Sequence, residues 1–141
     1  MSIFVSDLLD LSQTSHGGLF EGCVYPWEAL PKIGVYLEQH LKHGNFGKIS
    51  PRTVIEGSVF IDIGTVIEPH VHIRGPAWIG KNCEIRHGAY LRGNVIVGDG
   101  CVLGNSCEFK NCVLFNEAKV PHFAYVGESI LGYHSHLGSG V

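Results

Sequence analysis

Large apolar side chains recur along this chain with a period of six. From Ile49 the sixth residues are Ile55, Ile61, Ile67, Ile73, Ile79, Ile85, Leu91, Val97, Leu103 and Phe109. Four places after each stands a small or β-branched residue: Thr53, Val59, Thr65, Val71, Ala77, Cys83, Ala89, Val95, Cys101, Cys107 and Val113. The register then slips by one, to Leu114, Val120 and Val126 with Ala118, Ala124 and Ile130 as their partners. It slips again to Leu131 and Leu137, with Ser135 and Val141. A period of six fits neither an amphipathic helix nor a plain alternating strand. It predicts a hexapeptide β-helix, in which each repeat buries one large and one small side chain in a shared interior. Three short strands close one triangular coil of about 18 residues, so the repeats predict about five coils and a mainly β fold. Parallel β-helices of this class are left-handed, an exception to the right-handed crossover rule that the period itself does not reveal. Gly80, Gly98, Gly104, Gly127, Gly132 and Gly138 follow the large residue, where a turn with positive φ favours glycine.

Residues 1–48 lack the period. Ser6 is placed to cap a short turn, and Pro26 and Pro31 each suit a first helical position. Ile33, Tyr36, Leu37 and Leu41 then form an apolar stripe, with Gly44 as a C-terminal stop. The expectation is an N-terminal helical cap (1–48) over the first coil of a β-helix spanning 49–141, since solenoid ends need covering. At the other end Val141 falls inside a repeat, which predicts that further chain or another subunit covers that edge.

Composition narrows the function classes. The chain has 141 residues, a net charge of −3 and 45% apolar residues, which fits one folded domain. A pI of 6.3 gives no general attraction to nucleic acid or anionic lipid. No apolar run approaches a membrane span, and the start MSIFVSDLLDL carries acids where a signal peptide carries Lys or Arg, so a cytoplasmic location is expected. The 5 cysteines include no C-x-x-C, which predicts free thiols. Cys83, Cys101 and Cys107 occupy small inward positions, whereas Cys23 and Cys112 lie off that pattern.

In a coil of about 18 residues, side chains 18 apart stack roughly 4.8 Å from one another. One such outward column reads Glu56, Arg74, Arg92, Lys110. Three successive cations repel, so the column is either a solvated edge or a seat for an anion, for which phosphate suits the Arg fork. Among the 9 histidines, His87 and His122 share a column with Asn105 between them. The zinc arrangement of γ-class carbonic anhydrases, with two histidines five residues apart, is not met, because Glu117 stands five before His122. No metal is therefore expected. His122, held after Pro121, is a candidate fixed base, with a surface imidazole as the alternative. Trp27 and Trp78 read as packing residues.

The stretch CEFKNCVLFNEAKVPHFAYVGESILGYHSHLGSG resembles the C-terminal β-helix of the bifunctional glucosamine-1-phosphate acetyltransferase/N-acetylglucosamine-1-phosphate uridyltransferases. It is also similar to the matching domain of archaeal sugar-1-phosphate nucleotidylyltransferases. That family reads roughly V-E-x-K-N, then G-H-x-x-Y-x-G-D, then I-G-x-x-x-N-x-G-A-G-T. The resemblance covers about residues 90–141. It implies sugar-phosphate contacts at Arg92, Lys110 and Tyr125, with Arg74 joining them from the column, and a general base at His122. It also implies a homotrimer with acetyl-CoA between neighbouring β-helices. His136 stands where the family has a substrate-touching Asn, and Ser139-Gly140-Val141 replaces A-G-T, with Ser139 the residue nearest the expected CoA contacts. Nothing in 1–48 resembles a Gly-rich nucleotide loop, so nucleotidyl transfer is not expected.

The reaction implied is acetyl transfer from acetyl-CoA to the 2-amine of an amino-sugar phosphate. Two rival readings stand beside it. One is a non-catalytic, sugar-phosphate-binding or trimerising β-helix. The other is an acyltransferase for a different amine.

Overall fold

A computed structural model describes residues 2–141. Its strands, numbered in chain order, form three parallel five-stranded sheets. The first sheet holds β1 (Lys48–Ile49), β4 (Val66–Ile67), β7 (Glu84–Ile85), β10 (Val102–Asn105) and β13 (Lys119–His122). The second holds β2 (Val54–Glu56), β5 (His72–Arg74), β8 (Tyr90–Leu91), β11 (Glu108–Lys110) and β14 (Tyr125–Gly127). The third holds β3 (Val59–Ile61), β6 (Ala77–Ile79), β9 (Val95–Val97), β12 (Cys112–Leu114) and β15 (Ile130–Leu131). Every third strand pairs with its predecessor, as the hexads predict, and the fold is the left-handed parallel β-helix expected of this class.

The large residues stack in the interior: Ile67 on Ile85 on Leu103 on Val120 in the first sheet, and Ile73 on Leu91 on Phe109 on Val126 in the second. The small inward column explains the cysteines. Thr65 Oγ1 donates to the Gly80 carbonyl at 2.6 Å, and the thiols of Cys83 and Cys101, stacked with it, donate to Gly98 and Phe115 carbonyls at 3.1 Å. The bonds to Gly80 and Gly98 satisfy buried corner carbonyls, and the one to Phe115 adds to the Ala118 N–H that the same carbonyl accepts at 3.3 Å.

Two details of register differ from expectation. The coil is 18 residues where Glu84 pairs with Val102, but 17 where Val102 pairs with Lys119 and Val95 with Cys112. The residue is lost at the corner around Asn111, ahead of the slip expected after Val113. Cys112 is therefore the small inward residue, and Val113 and its partner Ile130 face outward. Burial pushes the Cys112 thiol up to about 12, so it packs as a small apolar group.

The glycines after the large residues also act differently. None of Gly80, Gly98, Gly104, Gly127, Gly132 or Gly138 has positive φ. At Gly104 a Cβ would lie 1.7 Å from the Pro121 carbonyl oxygen in the next coil. Close approach of coils is what requires glycine there. The left-handed corner positions are instead Gly64, Asn82, Gly100, Glu117 and His134 at one edge and His70, Gly88, Ser106, Phe123 and Gly140 at another.

The N-terminal segment contains α1 (Val5–Leu8), α2 (Ile33–His40) and three 3-10 turns between them. Ser6 lies inside α1, whose N-cap is Phe4, so the expected Ser cap is absent. Pro26 opens a 3-10 turn that runs to Lys32 with Pro31 inside it. The helices of the segment do not close the end of the first coil, where inward Ile55 remains 38% exposed, but its last residues do join that coil: Phe46 N–H donates to the Ile61 carbonyl at 2.8 Å and Ile61 N–H to the Gly44 carbonyl at 3.2 Å. The rest of the segment lies along the outer face of the third sheet. Ile33, Leu37, Phe20 and Leu19 form one core there with Ile96, Val113 and Phe115, and Trp78 and Ile130 pack against it. Asn116 N–H donates to the Gln13 carbonyl at 3.0 Å, tying segment to coil.

Candidate functional site

Among the described residues no segment covers the outer face of the second sheet, and that face carries the column of cations. The column Glu56, Arg74, Arg92, Lys110 forms as expected, with Glu56 opposite Arg74 and Lys110 opposite Gly127. Beside it runs a second column: His72, Tyr90, Glu108, Tyr125. Alternation of inward and outward residues on short strands puts both columns on the same face.

The cations are not an uncompensated run. Arg92 donates to Glu108 at 2.9 Å, Lys110 lies 3.2 Å from Glu128, and Arg74 lies 3.7 Å from Glu56. His72 also meets Glu56 at 3.0 Å, and that hydrogen bond, with Arg74 behind it, holds the Glu56 carboxyl below its usual range. The Arg74 guanidinium reaches the Tyr90 hydroxyl at 3.5 Å. Glu108 and Glu128 lie in neighbouring columns, which a single column of residues 18 apart does not reveal. All of these side chains are exposed enough for water to screen the pairs, so each is worth about 0–1 kcal/mol and is open to exchange for another anion.

His122 ends β13 and is exposed, at the corner that leads into the second sheet. Phe123, at φ 45°, and buried Ala124 make the turn, and Tyr125 then opens β14. The corner is stacked between its neighbours: Phe123 N–H donates to Asn105 O at 3.0 Å, and Gly140 N–H donates to Phe123 O at 3.1 Å. His122 pairs with Asn105, and Ser139 falls at the same corner one coil on. His136 is not brought to this place. It bridges Lys119, at the opposite end of β13 from His122. The structure thus groups Arg74, Arg92, Lys110 and Tyr125 on one face, sets His122 and Ser139 at its leading corner, and leaves His136 apart. Among the described residues, no three His, Cys, Asp or Glu side chains are placed to hold a metal ion. No helix is long and apolar enough to cross a membrane.

A second cluster escaped the sequence reading. Where the N-terminal segment meets the third sheet, His16, Tyr36, Lys42, Trp78 and Asp99 line a pocket. A signal for this contact exists: Phe60, Trp78 and Ile96 are outward apolar residues 18 apart.

With this geometry in hand, comparison with known proteins places the fold. Residues 73–141 match the family model described as the GMPPB C-terminal domain. Curated relatives cover more of the chain. The "Bifunctional protein GlmU" of Methanococcus aeolicus is 35% identical over 113 residues, 80% of this chain and 27% of the relative. The protein of the same name from Methanococcus maripaludis is 34% identical over 121 residues, 86% of this chain and 29% of its own length. That of Methanocaldococcus jannaschii is 34% identical over 113 residues, again 80% of this chain, and 28% of its own length. The chain thus spans under a third of the length of these relatives, and the matched region is the β-helix type expected from the resemblance.

Proposed function

We propose that this β-helix is an acetyl-CoA-dependent N-acetyltransferase acting on an amino-sugar 1-phosphate in UDP-N-acetylglucosamine synthesis. The observation that carries the reading is one juxtaposition. Two arginines, a lysine and a tyrosine share an outer face, and His122 stands at the corner leading into it. Arg92 and Lys110, with Arg74 beyond them, hold the phosphate by exchanging weak carboxylate partners for a dianion. Tyr125 orients the sugar.

The amine must be neutral to attack the thioester carbonyl. His122 takes the amine proton as the C–N bond forms, the C–S bond breaks, and the proton passes to the departing thiolate. This is general base catalysis, a contribution of roughly 10²–10⁴ in rate. Ser139, at the same corner as His122, is the nearest candidate for a contact to the CoA chain. His136, which the resemblance places at a substrate contact, lies apart from this face within one subunit. A homotrimer with the site between subunits and a cytoplasmic location belong to the same proposal.

The test is thiol release from acetyl-CoA in the presence of glucosamine 1-phosphate, wild type beside His122→Ala. The expected result is release that needs the sugar phosphate and falls by about 10²–10⁴ in the variant. His122 is exposed, so the fold should survive the change. No release from the folded protein overturns the enzymatic reading. A non-catalytic sugar-phosphate-binding module then takes its place, a reading favoured by the carboxylate-paired state of every cation in the column.

A further inference from the structure

The second cluster lies on a different face from the proposed acyl-transfer site. It occupies a pocket of about 400 Å3 between the N-terminal segment and the corner that leaves the third sheet. That size is within the ~300–1,000 Å3 usual for small-molecule sites, and junctions between structural units are where such sites concentrate. Its walls come from both parts of the chain. Tyr36 and Trp78 supply aromatic surface. His16, only 2% exposed, fixes Tyr36, its Nδ1 lying 2.9 Å from the hydroxyl, and sets its ring edge-on to Trp78 at 4.6 Å. The Nε2 of His16 is buried without a partner.

Charges of both signs line the same space. Lys42 and Lys81 bring ammonium groups, and Asp62 and Asp99 bring carboxylates. Among the described residues, none of these four side chains is joined to another in an ion pair, although every cation on the outer face of the second sheet has found a carboxylate. Lys42 lies over Trp78 at 5.5 Å instead. Asp99 Oδ1 accepts the Lys81 backbone N–H at 2.8 Å, which fixes its carboxylate at the corner. Opposite charges left apart across an aromatic-walled cavity are complementary to a ligand that itself carries both signs.

We propose that this pocket binds a small zwitterion. Its ammonium group faces Asp62 and Asp99, and its phosphate or carboxylate faces Lys42 and Lys81. The two ligand sources share an ammonium and differ in the anion, so probes can separate them.

The chain has only two tryptophans, and Trp27 stacks on Tyr25 away from this pocket. In a Trp27→Phe background Trp78 is therefore the sole indole reporter. Its fluorescence is titrated with phosphoethanolamine and with β-alanine, and with ethanolamine and inorganic phosphate as single-charge controls. The expected result is a saturable change for a zwitterion at concentrations below about 10 mM. Lys81→Met and Asp62→Asn, which remove one charge each at exposed or half-exposed positions, should weaken that binding by about tenfold or more. Arg92→Ala should leave it unchanged, because Arg92 belongs to the other face. Tighter binding of phosphoethanolamine assigns the anionic end to phosphate, and tighter binding of β-alanine assigns it to carboxylate. The proposal is overturned by no saturable change, by equal binding of either single-charge control, or by indifference to both charge-removing variants. Acetyl-CoA turnover does not enter the readout, so failure here and failure of the acyltransferase reading are separate results.

Discussion

The second and third sheets have the same architecture and opposite outer faces. On the third, the outward residues Ile96 and Val113 and the corner residue Phe115 are fully buried, because the N-terminal segment lies over them. On the second, the outward residues are Tyr90, Arg92, Glu108, Lys110 and Tyr125, with no segment over them among the described residues, and the charged ones form ion pairs. A β-helix needs only its interior to fold. The outer faces are free to diverge, one becoming a docking surface for the chain's own start and the other an array of exchangeable charges. Stability should therefore be concentrated on the third face and ligand recognition on the second.

The largest expected break in that contrast is Phe115→Ala. Its ring lies 5.7 Å from Phe20, edge-on, and connects segment to coil. Truncating a buried Phe costs about 3–5 kcal/mol. Urea unfolding should show that loss. A change under about 1 kcal/mol would mean that the segment contributes little and that the two faces are energetically alike.

Acid provides a second, somewhat smaller test at the same junction. Burial pushes His16 down to about 4 from its ordinary value near 6.5, against the favourable charge of Asp99 and with His40 and Lys42 adding to the depression. The folded state holds the imidazole neutral, whereas the unfolded chain protonates it first. Its contribution is complete above about pH 6.5 and is lost as pH falls toward 4, amounting to roughly 3 kcal/mol. Unfolding free energy measured across that range should fall by about one proton's slope more in wild type than in His16→Gln. Parallel profiles would show that His16 is not the group coupling pH to the junction.

The interior was the legible part of the chain because a shared core tolerates little else. The period from Ile61 to Phe109 fixes strand order, coil count and the inward cysteines. The shortened corner was misplaced because Cys112 and Val113 are both apolar and both buried, one by the core and one by the N-terminal segment. Periodicity reports burial and does not say which side does the burying. The helical segment's seat was missed for the same reason, since Phe60, Trp78 and Ile96 look like ordinary strand residues until something packs on them. At the candidate site, the cation column followed directly from stacking. Its carboxylate partners did not, because Glu108 and Glu128 occupy other columns and reach Arg92 and Lys110 only through side-chain length. The motif groups His136 with Tyr125, and its bridge to Lys119 separates the two within one subunit, a spacing that motif order alone does not reveal.

The smallest effect is the most discriminating about the second face. Glu128→Gln removes the partner of Lys110 while preserving shape. An exposed pair of this kind contributes about 0–1 kcal/mol and is screened by salt. The variant should unfold within about 0.5 kcal/mol of wild type in dilute buffer, and any difference should vanish in concentrated salt. If the column is a seat for phosphate, the freed Lys110 ammonium should bind glucosamine 1-phosphate at least as tightly as before, measured by calorimetry. A loss above about 2 kcal/mol would instead mean that the ion pairs hold the coil together. In that case the charged face would be structural in the same sense as the apolar one, and the division of labour between the two sheets would fail.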